Sequence, residues 1–350
     1  MQKTDSLSTS KKVYILILNW NNWRDTIECL ESVFQNSYPN FQVICVDNAS
    51  TDNSEQRIKE WAEGKRIVKS SFVAFNTNNK PIPILACDRN TAEADGMPDQ
   101  ETAGITQSNK QLLILIQSGR NKGYAGGNNL AIRYALKKND GEYLWILNND
   151  TVVDKKALSE MILCIEKDAA IGMVGSKLLY YDRRNILQAA GGCKITPVFG
   201  NTRLIANNEA DSEKWGTSFN PDYICGASLL VKKEVIQSIG LLDESYFLYW
   251  EDADWGLRAS KNKFKLSYCP NSRVWHKEGG TSGGISPMTD YYWTRNGLAF
   301  MKKFYPVFLP LAPLSYFLKH TVVRIIKRQP LNFRSFLRGV RDFLAGRTGE

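Results

Sequence analysis

The chain has 350 residues, of which 43% are hydrophobic and 23% are charged. This composition excludes a wholly disordered chain, and the length suits one large α/β domain or two small ones, with a core that needs no covalent cross-links. The net charge of +9 is concentrated at the carboxyl end, because residues 302–350 carry ten Lys and Arg side chains against two acidic ones. The preceding part of the chain is close to neutral, which argues against a nucleic-acid-binding domain.

The cysteines and the amino terminus indicate the compartment. None of the seven cysteines forms a CxxC pair, and Cys45, Cys164 and Cys225 lie inside apolar runs. This pattern predicts reduced core thiols and neither a disulfide framework nor a zinc site. Residues 1–11 form a polar tail without an apolar stretch of signal-peptide length. The sequence therefore predicts a cytoplasmic protein.

Short apolar runs alternate with helical patterns through the first half of the chain. Strands are predicted at 13–18, 41–46, 111–117 and 143–147. Helices are predicted at 24–34, at about 128–138 and around 157–165, where apolar residues recur at helical spacing. Strand–helix alternation of this kind predicts a mostly parallel central sheet with helices on both faces.

Two segments depart from this alternation. Residues 74–110 contain Asn, Thr, Gly, Pro and acidic residues with little periodicity, so we expect a flexible surface insertion there. Beyond about Gly200 the sequence is rich in aromatic residues and less regular, which suits an acceptor-binding half. The predicted organisation is one domain over 12–303, interrupted by the insertion, and a basic tail over 304–350.

The tail contains a helical pattern of its own. Residues 304–318 are apolar but too short, and too rich in proline, for a transmembrane helix. Farther on, six apolar residues share one predicted helix face: Phe333, Phe336, Leu337, Val340, Phe343 and Leu344. Arg334, Arg338 and Arg341 fall on the other sides, so the pattern predicts a basic amphipathic helix lying on an anionic membrane surface. The alternative is a helix packed on the protein's own core or on a dimer partner.

Polar residues follow four of the predicted strands. The clusters are Asn19-Trp20-Asn21-Asn22, Asp47-Asn48, Arg120-Asn121-Lys122-Gly123 and Asn148-Asn149-Asp150. Asn and Asp after a strand are ordinary turn formers, and that interpretation stays open for each cluster taken alone. Ligands of open α/β sheets bind beyond the carboxyl ends of the strands, however, so the four clusters together predict one composite nucleotide site.

An ordered set of motifs carries a family resemblance. The motifs are residues 13–21, Val46 to Asp52, Asn121 to Asn129, Leu147 to Thr151, Trp250 to Trp255, Val274-Trp275-His276 and Tyr291 to Asn296. In this order they resemble the family-2 inverting glycosyltransferases, and within them the bacterial rhamnosyltransferase-like branch. The resemblance covers about Val13 to Phe304 apart from the insertion. It implies a GT-A fold with a C-terminal helical tail.

The resemblance also implies roles for the strand-end residues. Asp47 would bind the pyrimidine ring of the donor, and the alternative, which we favour less, is an Asx-turn before a helix near Ser54. The loop before the predicted helix at 128–138 would contact the donor, with glycines that admit backbone N–H groups to phosphate. The implied nucleotide-sugar-binding residues are Asn19, Trp20, Asn21, Asp47, Asn48, Asn121, Lys122, Gly123, Gly127, Asn128, Asn148, Asn149 and Arg295. Arg295 is included because a guanidinium fits phosphate in a bidentate manner.

The implied chemistry needs a metal ion and a base. Asn148-Asn149-Asp150 occupies the place of the family's DxD metal motif, with a neutral Asn in the first position. Asp150 and His276 would hold Mg²⁺ or Mn²⁺, whose preference for oxygen and imidazole ligands fits this set. Asp252 would be the catalytic base and Glu251 its orienting partner. The alternative is a pair of acids stabilised by a helix amino terminus.

The predicted function is therefore inverting sugar transfer from dTDP-L-rhamnose to a cell-surface or lipid-linked glycan, on the inner face of the plasma membrane. A UDP-sugar donor and a catalytically dead nucleotide-sugar-binding protein are the alternatives. A sugar-nucleotide pyrophosphorylase would need a glycine-rich loop after the first strand, where this chain has Asn19-Trp20-Asn21-Asn22. The sequence leaves the oligomeric state open.

Overall fold

The computed structural model describes residues 10–94, 111–277, 286–318 and 333–350, and a ten-stranded sheet forms its centre. The strands are β1 Val13–Asn19, β2 Phe41–Asp47, β3 Ile84–Asp88, β4 Leu113–Gln117, β5 Tyr143–Asn148, β6 Thr151–Val153, β7 Ile171–Tyr180, β8 Leu187–Ala190, β9 Gly192–Thr196, β10 Asn201–Leu204, β11 Tyr223–Ile224, β12 Ser228–Lys232 and β13 Lys265–His276. The helices are α1 Trp23–Val33, α2 Ser54–Ala62, α3 Arg89–Glu93, α4 Gly123–Lys138, α5 Ala157–Ile165, α6 Lys233–Ile239, α7 Glu251–Lys261, α8 Pro287–Phe304 and α9 Phe333–Leu344.

The amino-terminal half of the sheet is parallel. Its strands lie in the order β3-β4-β2-β1-β5, and each neighbouring pair is parallel. The residues of β1, β2 and β4 are almost all buried, because two hydrophobic clusters cover opposite faces of the sheet. This confirms the predicted α/β architecture, and it places the carboxyl ends of β1, β2 and β5 side by side.

The second half of the sheet mixes strand directions. β12 lies antiparallel between β5 and β7, and β13 runs parallel to β7. β6 pairs antiparallel with the end of β13, so that His276 lies opposite Thr151. A separate three-stranded sheet, in the order β10-β9-β11, stands beside this half. The fold thereby brings His276 next to the residues that follow β5.

The expectation of an irregular segment over 74–110 is wrong for residues 84–93. Ile84–Asp88 forms β3, the edge strand of the main sheet, and Asp88 caps α3 by accepting a hydrogen bond from the Thr91 backbone N–H. An edge strand buries little surface, and in β3 only Leu85 is buried, so the hydrophobic signal was weak. Residues 95–110 lie outside the described residues.

Helix α4 begins at Gly123, one turn before the predicted start, and includes the glycines. A Cβ at Gly127 would come within 2.4 Å of Leu18, so this glycine lets the helix approach β1 closely. Gly123 has a φ of +66°, and a Cβ there would lie 2.2 Å from the carbonyl oxygen of Phe247. The glycines therefore serve close packing, and the expected contact of this loop with phosphate stays a prediction.

The C-terminal helix α9 packs against α8. A Cβ at Gly339 would lie 2.9 Å from the Tyr291 carbonyl oxygen, so the two helices approach closely at this point. The buried Asp342 carboxylate accepts a hydrogen bond from the Tyr291 hydroxyl (3.1 Å) and forms an ion pair with Arg341. One face of α9 is therefore packed on the protein's own core, which was the alternative to a helix lying on a membrane. Its other face keeps Phe333, Leu337 and Leu344 exposed.

The exposed face of α9 continues into residues 306–318. This segment buries Ala312 and Tyr316 against α8 and exposes other apolar side chains. We call the combined exposed surface the C-terminal ridge, which consists of Val307, Leu311, Leu314, Phe317, Leu318, Phe333 and Leu337. The rings of Phe317 and Phe333 lie 5.8 Å apart and join the two segments. Within the described ranges, no helix has the length and hydropathy needed to cross a membrane.

Candidate functional site

The carboxyl ends of three parallel strands bring polar side chains into one network. The Asn19 amide donates a hydrogen bond to Asp47 Oδ1 (2.7 Å), and its carbonyl oxygen accepts one from the Thr26 hydroxyl (2.7 Å). That hydroxyl also accepts a hydrogen bond from the Asn149 amide (2.9 Å). The predicted grouping of these strand ends is therefore present in the structure. Thr26, which joins two of them, was not predicted because no motif distinguishes it.

Asp47 also organises the turn after β2. Its carboxylate accepts hydrogen bonds from the backbone N–H and the hydroxyl of Ser50, which is three residues on, whereas an Asx-turn bonds the N–H two residues on. The Asn21 side chain accepts a hydrogen bond from the Thr51 backbone N–H (2.6 Å), and Trp20 lies beside it, partly exposed. The turn is structural, and it also orients the Asp47 carboxylate at the sheet edge.

Asn48 connects β2 with the loop before α4. Its amide donates a hydrogen bond to Asn121 Oδ1 (2.9 Å), and its carbonyl oxygen accepts one from the Lys122 backbone N–H (3.0 Å). Burial lowers the pKa of Lys122, whose ammonium lies 3.9 Å from Glu244. Asn128 donates to the Tyr124 carbonyl oxygen inside α4. The structure thus brings Asn48, Asn121 and Lys122 together, whereas Gly127 and Asn128 lie within the helix.

Asp150 and His276 lie next to each other at the end of β5. Asp150 Oδ1 is 3.0 Å from His276 Nε2, and the Asn148 amide lies 3.5 Å from the same ring nitrogen. Octahedral metal–ligand distances of about 2.1 Å place adjacent ligands about 3 Å apart, so these two atoms fit neighbouring positions around one ion. The described residues contain no cluster of three His, Cys, Asp or Glu side chains, so a bound ion would need further oxygen ligands from a substrate.

Gln188 on β8 orients the His276 ring. Its Oε1 lies 2.8 Å from His276 Nδ1 and accepts a hydrogen bond from that nitrogen, while Nε2 faces Asp150. A histidine that binds a metal ion has its other nitrogen held in this way. Sequence reasoning missed Gln188, because it precedes His276 by 88 residues on a different strand.

Glu251 and Asp252 begin helix α7. Asp252 Oδ2 accepts a hydrogen bond from the Gly226 backbone N–H (3.1 Å), and Oδ1 accepts one from the Ala253 N–H (2.8 Å). Burial raises the pKa of Asp252 to about 6, although both backbone hydrogen bonds act to lower it. Burial and the neighbouring Asp252 charge raise the pKa of Glu251 well above its usual range. The helix amino terminus alone therefore does not set the protonation of this pair.

The loop before α7 has a strained backbone. Phe247, Tyr249 and Trp250 all have φ between +63° and +77°, a region that non-glycine residues seldom adopt. The Asn296 amide donates hydrogen bonds to the carbonyl oxygens of Tyr246, Leu248 and Tyr249 at 2.5–3.2 Å. These contacts from α8 hold the loop whose last residue adjoins Glu251.

Arg295 on α8 also holds this loop. Its side chain is 2% exposed and donates hydrogen bonds to Asn296 Oδ1 (2.9 Å) and to the Tyr246 carbonyl oxygen (3.2 Å). Its guanidinium lies 4.9 Å from the centre of the Tyr292 ring. In the structure this side chain therefore contacts the loop and its aromatic neighbours. The sequence had predicted a contact with the donor diphosphate.

A cleft of about 520 Å³ opens beside Glu251 and Asp252. Its remaining lining residues come from the small sheet, from the turn after β11 and from aromatic residues: Cys193, Thr202, Arg203, Leu204, Asn207, Tyr223, Cys225, Tyr249, Trp250 and Trp293. Cys225 is a half-buried lining residue, which corrects its assignment to the core, whereas Cys45 and Cys164 are buried as expected. A mostly apolar cleft with a few polar groups and carboxylates of raised pKa is typical of an active site.

Comparison with known protein families identifies the chain. The profile described as "Glycosyltransferase like family 2" matches residues 86–286, which is more than half of the chain. The profile described as "Glycosyl transferase family 2" matches residues 14–80. The chain belongs to glycosyltransferase family 2. This family membership is what the motifs predicted.

Two relatives have established names. The chain is 27% identical over 154 residues to the low-salt glycan biosynthesis hexosyltransferase Agl10 of Haloferax volcanii, a match that covers 44% of this chain and 48% of the relative. It is 25% identical over 225 residues to the dTDP-rhamnosyl transferase RfbF of Shigella flexneri, covering 60% of this chain and 71% of the relative. The chain therefore matches about half the length of Agl10 and a larger part of RfbF.

A solved structure supports the fold. The mannosyltransferase PcManGT from Pyrobaculum calidifontis, in complex with GDP-Man and Mn²⁺, superposes with a TM-score of 0.54 at 13% identity. The alignment covers 96% of this chain and 88% of that one. This likeness confirms the GT-A fold of our family-2 glycosyltransferase.

Proposed function

We propose that this glycosyltransferase moves a sugar from a nucleoside diphosphate to a hydroxyl group of a glycan acceptor, with inversion at the anomeric carbon. The observation that carries the proposal is the Asp252 carboxylate, which lies in the cleft and is held by the Gly226 and Ala253 N–H groups. A carboxyl group with a pKa of about 6 is deprotonated near neutral pH yet remains basic enough to accept a hydroxyl proton.

In the proposed step, Asp252 takes the proton of the acceptor hydroxyl as its oxygen attacks the anomeric carbon. The new glycosidic bond forms from the face opposite the leaving group, and the bond to the diphosphate breaks with its electron pair. The raised pKa of Glu251 favours its neutral form, which lessens the negative charge beside the base. The nucleoside diphosphate and a protonated Asp252 are then the remaining products.

The donor site is proposed at the ends of β1, β2 and β5. Asp47, held by Asn19, is placed to accept the N3–H of a pyrimidine ring. Asp150 and His276 are the residues that would hold Mg²⁺ or Mn²⁺, and such an ion offsets negative charge on a departing diphosphate. Gln188 supports this assignment because it fixes the His276 ring with Nε2 toward Asp150.

For the donor we propose dTDP-L-rhamnose, with a UDP-sugar as the alternative. The support is the likeness to RfbF, whose name specifies dTDP-rhamnosyl transfer. The test is to incubate the purified protein with a panel of dTDP- and UDP-sugars, with Mn²⁺ or with excess chelator, and to measure released nucleoside diphosphate. We expect release from dTDP-L-rhamnose above all others, and only with the metal. Equal release in chelator would contradict the metal assignment, and preference for a UDP-sugar would replace the donor.

We also propose that the enzyme works at the inner face of the plasma membrane on a lipid-linked acceptor. The C-terminal ridge supports this, because large exposed apolar patches mark protein or membrane contacts. Arg334 and Arg338 are exposed on the same helix as Phe333 and Leu337, and such a combination favours anionic lipid. The ridge adjoins the cleft, since Ser315 accepts a hydrogen bond from Asn201 on β10 and Tyr316 contacts Trp250.

A further inference from the structure

The cleft beside Asp252 has one basic residue, Arg203, among its lining residues in the described part of the chain. Arg203 is exposed, and its guanidinium has no hydrogen bond, ion pair or ring contact with any described residue. The other charged lining residues are Glu251 and Asp252. A cation without a partner inside a cleft that holds two acids is available to a ligand.

The position of Arg203 in the small sheet adds a second observation. In the register of β9 and β10, Arg203 lies directly opposite Lys194. Like charges at directly opposed positions destabilise a sheet. Lys194 is neutralised by Asp222, whose carboxylate lies 2.9 Å from its ammonium, whereas Arg203 has no such counter-ion among the described residues. A negatively charged ligand beside Arg203 would supply the counter-ion that Lys194 has in Asp222.

Arg203 belongs to the acceptor side of the proposed site. The residues proposed to bind the donor lie at the carboxyl ends of the parallel strands β1, β2 and β5. Arg203 is on the separate three-stranded sheet. The turn containing Gly226 lies between these parts, because its N–H donates to Asp252 and its carbonyl oxygen accepts from the Tyr124 hydroxyl on α4 (2.7 Å). A group beside Arg203 therefore lies in the same cleft as the base, and none of the strand-end residues proposed for the donor is among the described residues that line this cleft.

The aromatic wall of the cleft completes this side. Tyr249, Trp250 and Trp293 line it together with Arg203. The Trp250 and Trp293 rings lie 5.3 Å apart, and the Trp250 indole N–H donates to the Trp293 carbonyl oxygen. Such rings offer flat apolar surfaces to a sugar, and a nearby guanidinium adds recognition of an anionic oxygen.

We propose that Arg203 binds an anionic group carried by the acceptor, next to the sugar whose hydroxyl is deprotonated by Asp252. The group is a phosphate or diphosphate that links the sugar to a lipid, or the carboxylate of an acidic sugar. This inference rests on the proposed function, because it deepens the description of the acceptor in the same cleft.

The experiment measures acceptor binding without any donor. Three probes share a glucose-type ring and a decyl chain: the neutral decyl glucoside, decyl-diphospho-glucose and decyl glucuronide. Titration calorimetry, with tryptophan fluorescence from the cleft as a second readout, gives their affinities for the wild type, Arg203→Gln and Arg203→Lys. Arg183→Gln is the control, because Arg183 is exposed and does not line the cleft.

We expect the wild type to bind one anionic probe about tenfold or more tightly than the neutral probe, as a hydrogen bond between charged groups provides. Arg203→Gln should remove this preference, Arg203→Lys should keep part of it, and Arg183→Gln should keep all of it. Tighter binding of the diphosphate probe would identify the anionic group of the acceptor as a diphosphate linkage, and tighter binding of the glucuronide would identify it as a sugar carboxylate. The proposal is overturned if the wild type shows no anionic preference, binds no probe, or keeps the preference in Arg203→Gln.

Nucleoside diphosphate binding by the same variants separates this inference from the proposed function. We expect UDP and dTDP to bind Arg203→Gln as they bind the wild type, and a weaker affinity would assign Arg203 to the donor and overturn the inference. If no sugar nucleotide is turned over, the proposed function fails, yet the preference among the three probes still decides the role of Arg203.

Discussion

At Asp252, burial and hydrogen bonding act on the pKa in opposite directions, and burial prevails. The two backbone N–H groups that reach the carboxylate favour its charged form, yet its pKa rises from the ordinary 3.8 to about 6. The ionisable groups around it include Glu251, Tyr124 and Tyr223, and burial raises the pKa of each of these. These shifts favour the neutral form of all three groups.

We predict that kcat/KM rises with pH through about 6, because Asp252 accepts a proton only as a carboxylate. A raised folded-state pKa means that protonation favours the fold, so the contribution of Asp252 to stability falls as pH rises between about 4 and 6. Activity should thus be lost below pH 6 although protonation of Asp252 does not unfold the protein. The measurement is a pH–rate profile with circular dichroism at each pH. A flat profile between pH 5 and 7 would contradict the assignment.

Gln188 gives a prediction for the metal site. Replacing Gln188 by Leu removes the acceptor at His276 Nδ1, so the ring loses its fixed orientation. Loss of such a supporting contact typically weakens metal affinity by about 10- to 100-fold. Manganese binding, followed by electron paramagnetic resonance in the presence of a nucleoside diphosphate, should show this decrease. Gln56→Leu on α2 is the matched control, and equal Mn²⁺ affinity in the two variants would count against His276 as a ligand.

The strained loop between α6 and α7 is the element on which the site geometry depends. Its left-handed residues would relax without the hydrogen bonds from Asn296, because such conformations persist only where their surroundings hold them. Gly123 contributes from the other side, since the Tyr124 backbone N–H donates to the Phe247 carbonyl oxygen (2.7 Å). The loop therefore couples the start of α4, the catalytic pair and α8.

Replacing Asn296 by Ala should lower kcat by more than it weakens donor binding, because the loop leads into Glu251 and Asp252 and not into the strand ends. Steady-state kinetics together with nucleoside diphosphate calorimetry would measure the two effects separately. Asn262→Ala, at the exposed end of α7, should change neither quantity. A parallel loss of kcat and donor affinity in Asn296→Ala would mean that the loop serves both sites.

Sequence patterns predicted the elements unevenly, for physical reasons. The buried strands β1, β2, β4 and β5 gave continuous apolar runs, so they were found within two residues of their bounds. β3 at the sheet edge buries one residue and was missed. Arg295 was assigned to the donor phosphate only because a guanidinium binds phosphate well. The loop carbonyl oxygens that it contacts lie about 50 residues earlier in the chain. Contacts of that kind have no local signal, which also explains the omission of Gln188 and Arg203.

At the scale of the whole molecule, the C-terminal segment links the cleft beside Asp252 to an exposed apolar surface. Tyr316 is fully buried against Gly297 and Trp250, so removing the tail would also remove part of the core. The helical period correctly predicted an amphipathic α9, yet half of its apolar face covers α8. The period cannot tell a protein surface from a lipid surface, since both need the same apolar stripe.

Point substitutions therefore test membrane binding better than truncation. We predict that the wild type floats with vesicles containing anionic lipid at low salt, and that Leu314→Asp combined with Leu337→Asp abolishes flotation. Leu163→Asp is the matched control, because Leu163 and Leu314 are both 61% exposed and Leu163 lies on α5 outside the ridge. Added salt should weaken binding of the wild type. Flotation that survives the double substitution, or a wild type that never floats, would contradict the membrane proposal.

The most direct test of the account is sugar transfer by Asp252→Asn compared with the wild type, measured under saturating donor and Mn²⁺ together with donor affinity. The account predicts a loss of about 10²- to 10⁴-fold in kcat, the usual contribution of a general base, with donor affinity almost unchanged. A variant that transfers sugar within about tenfold of the wild-type rate would contradict the assignment of Asp252 as the base.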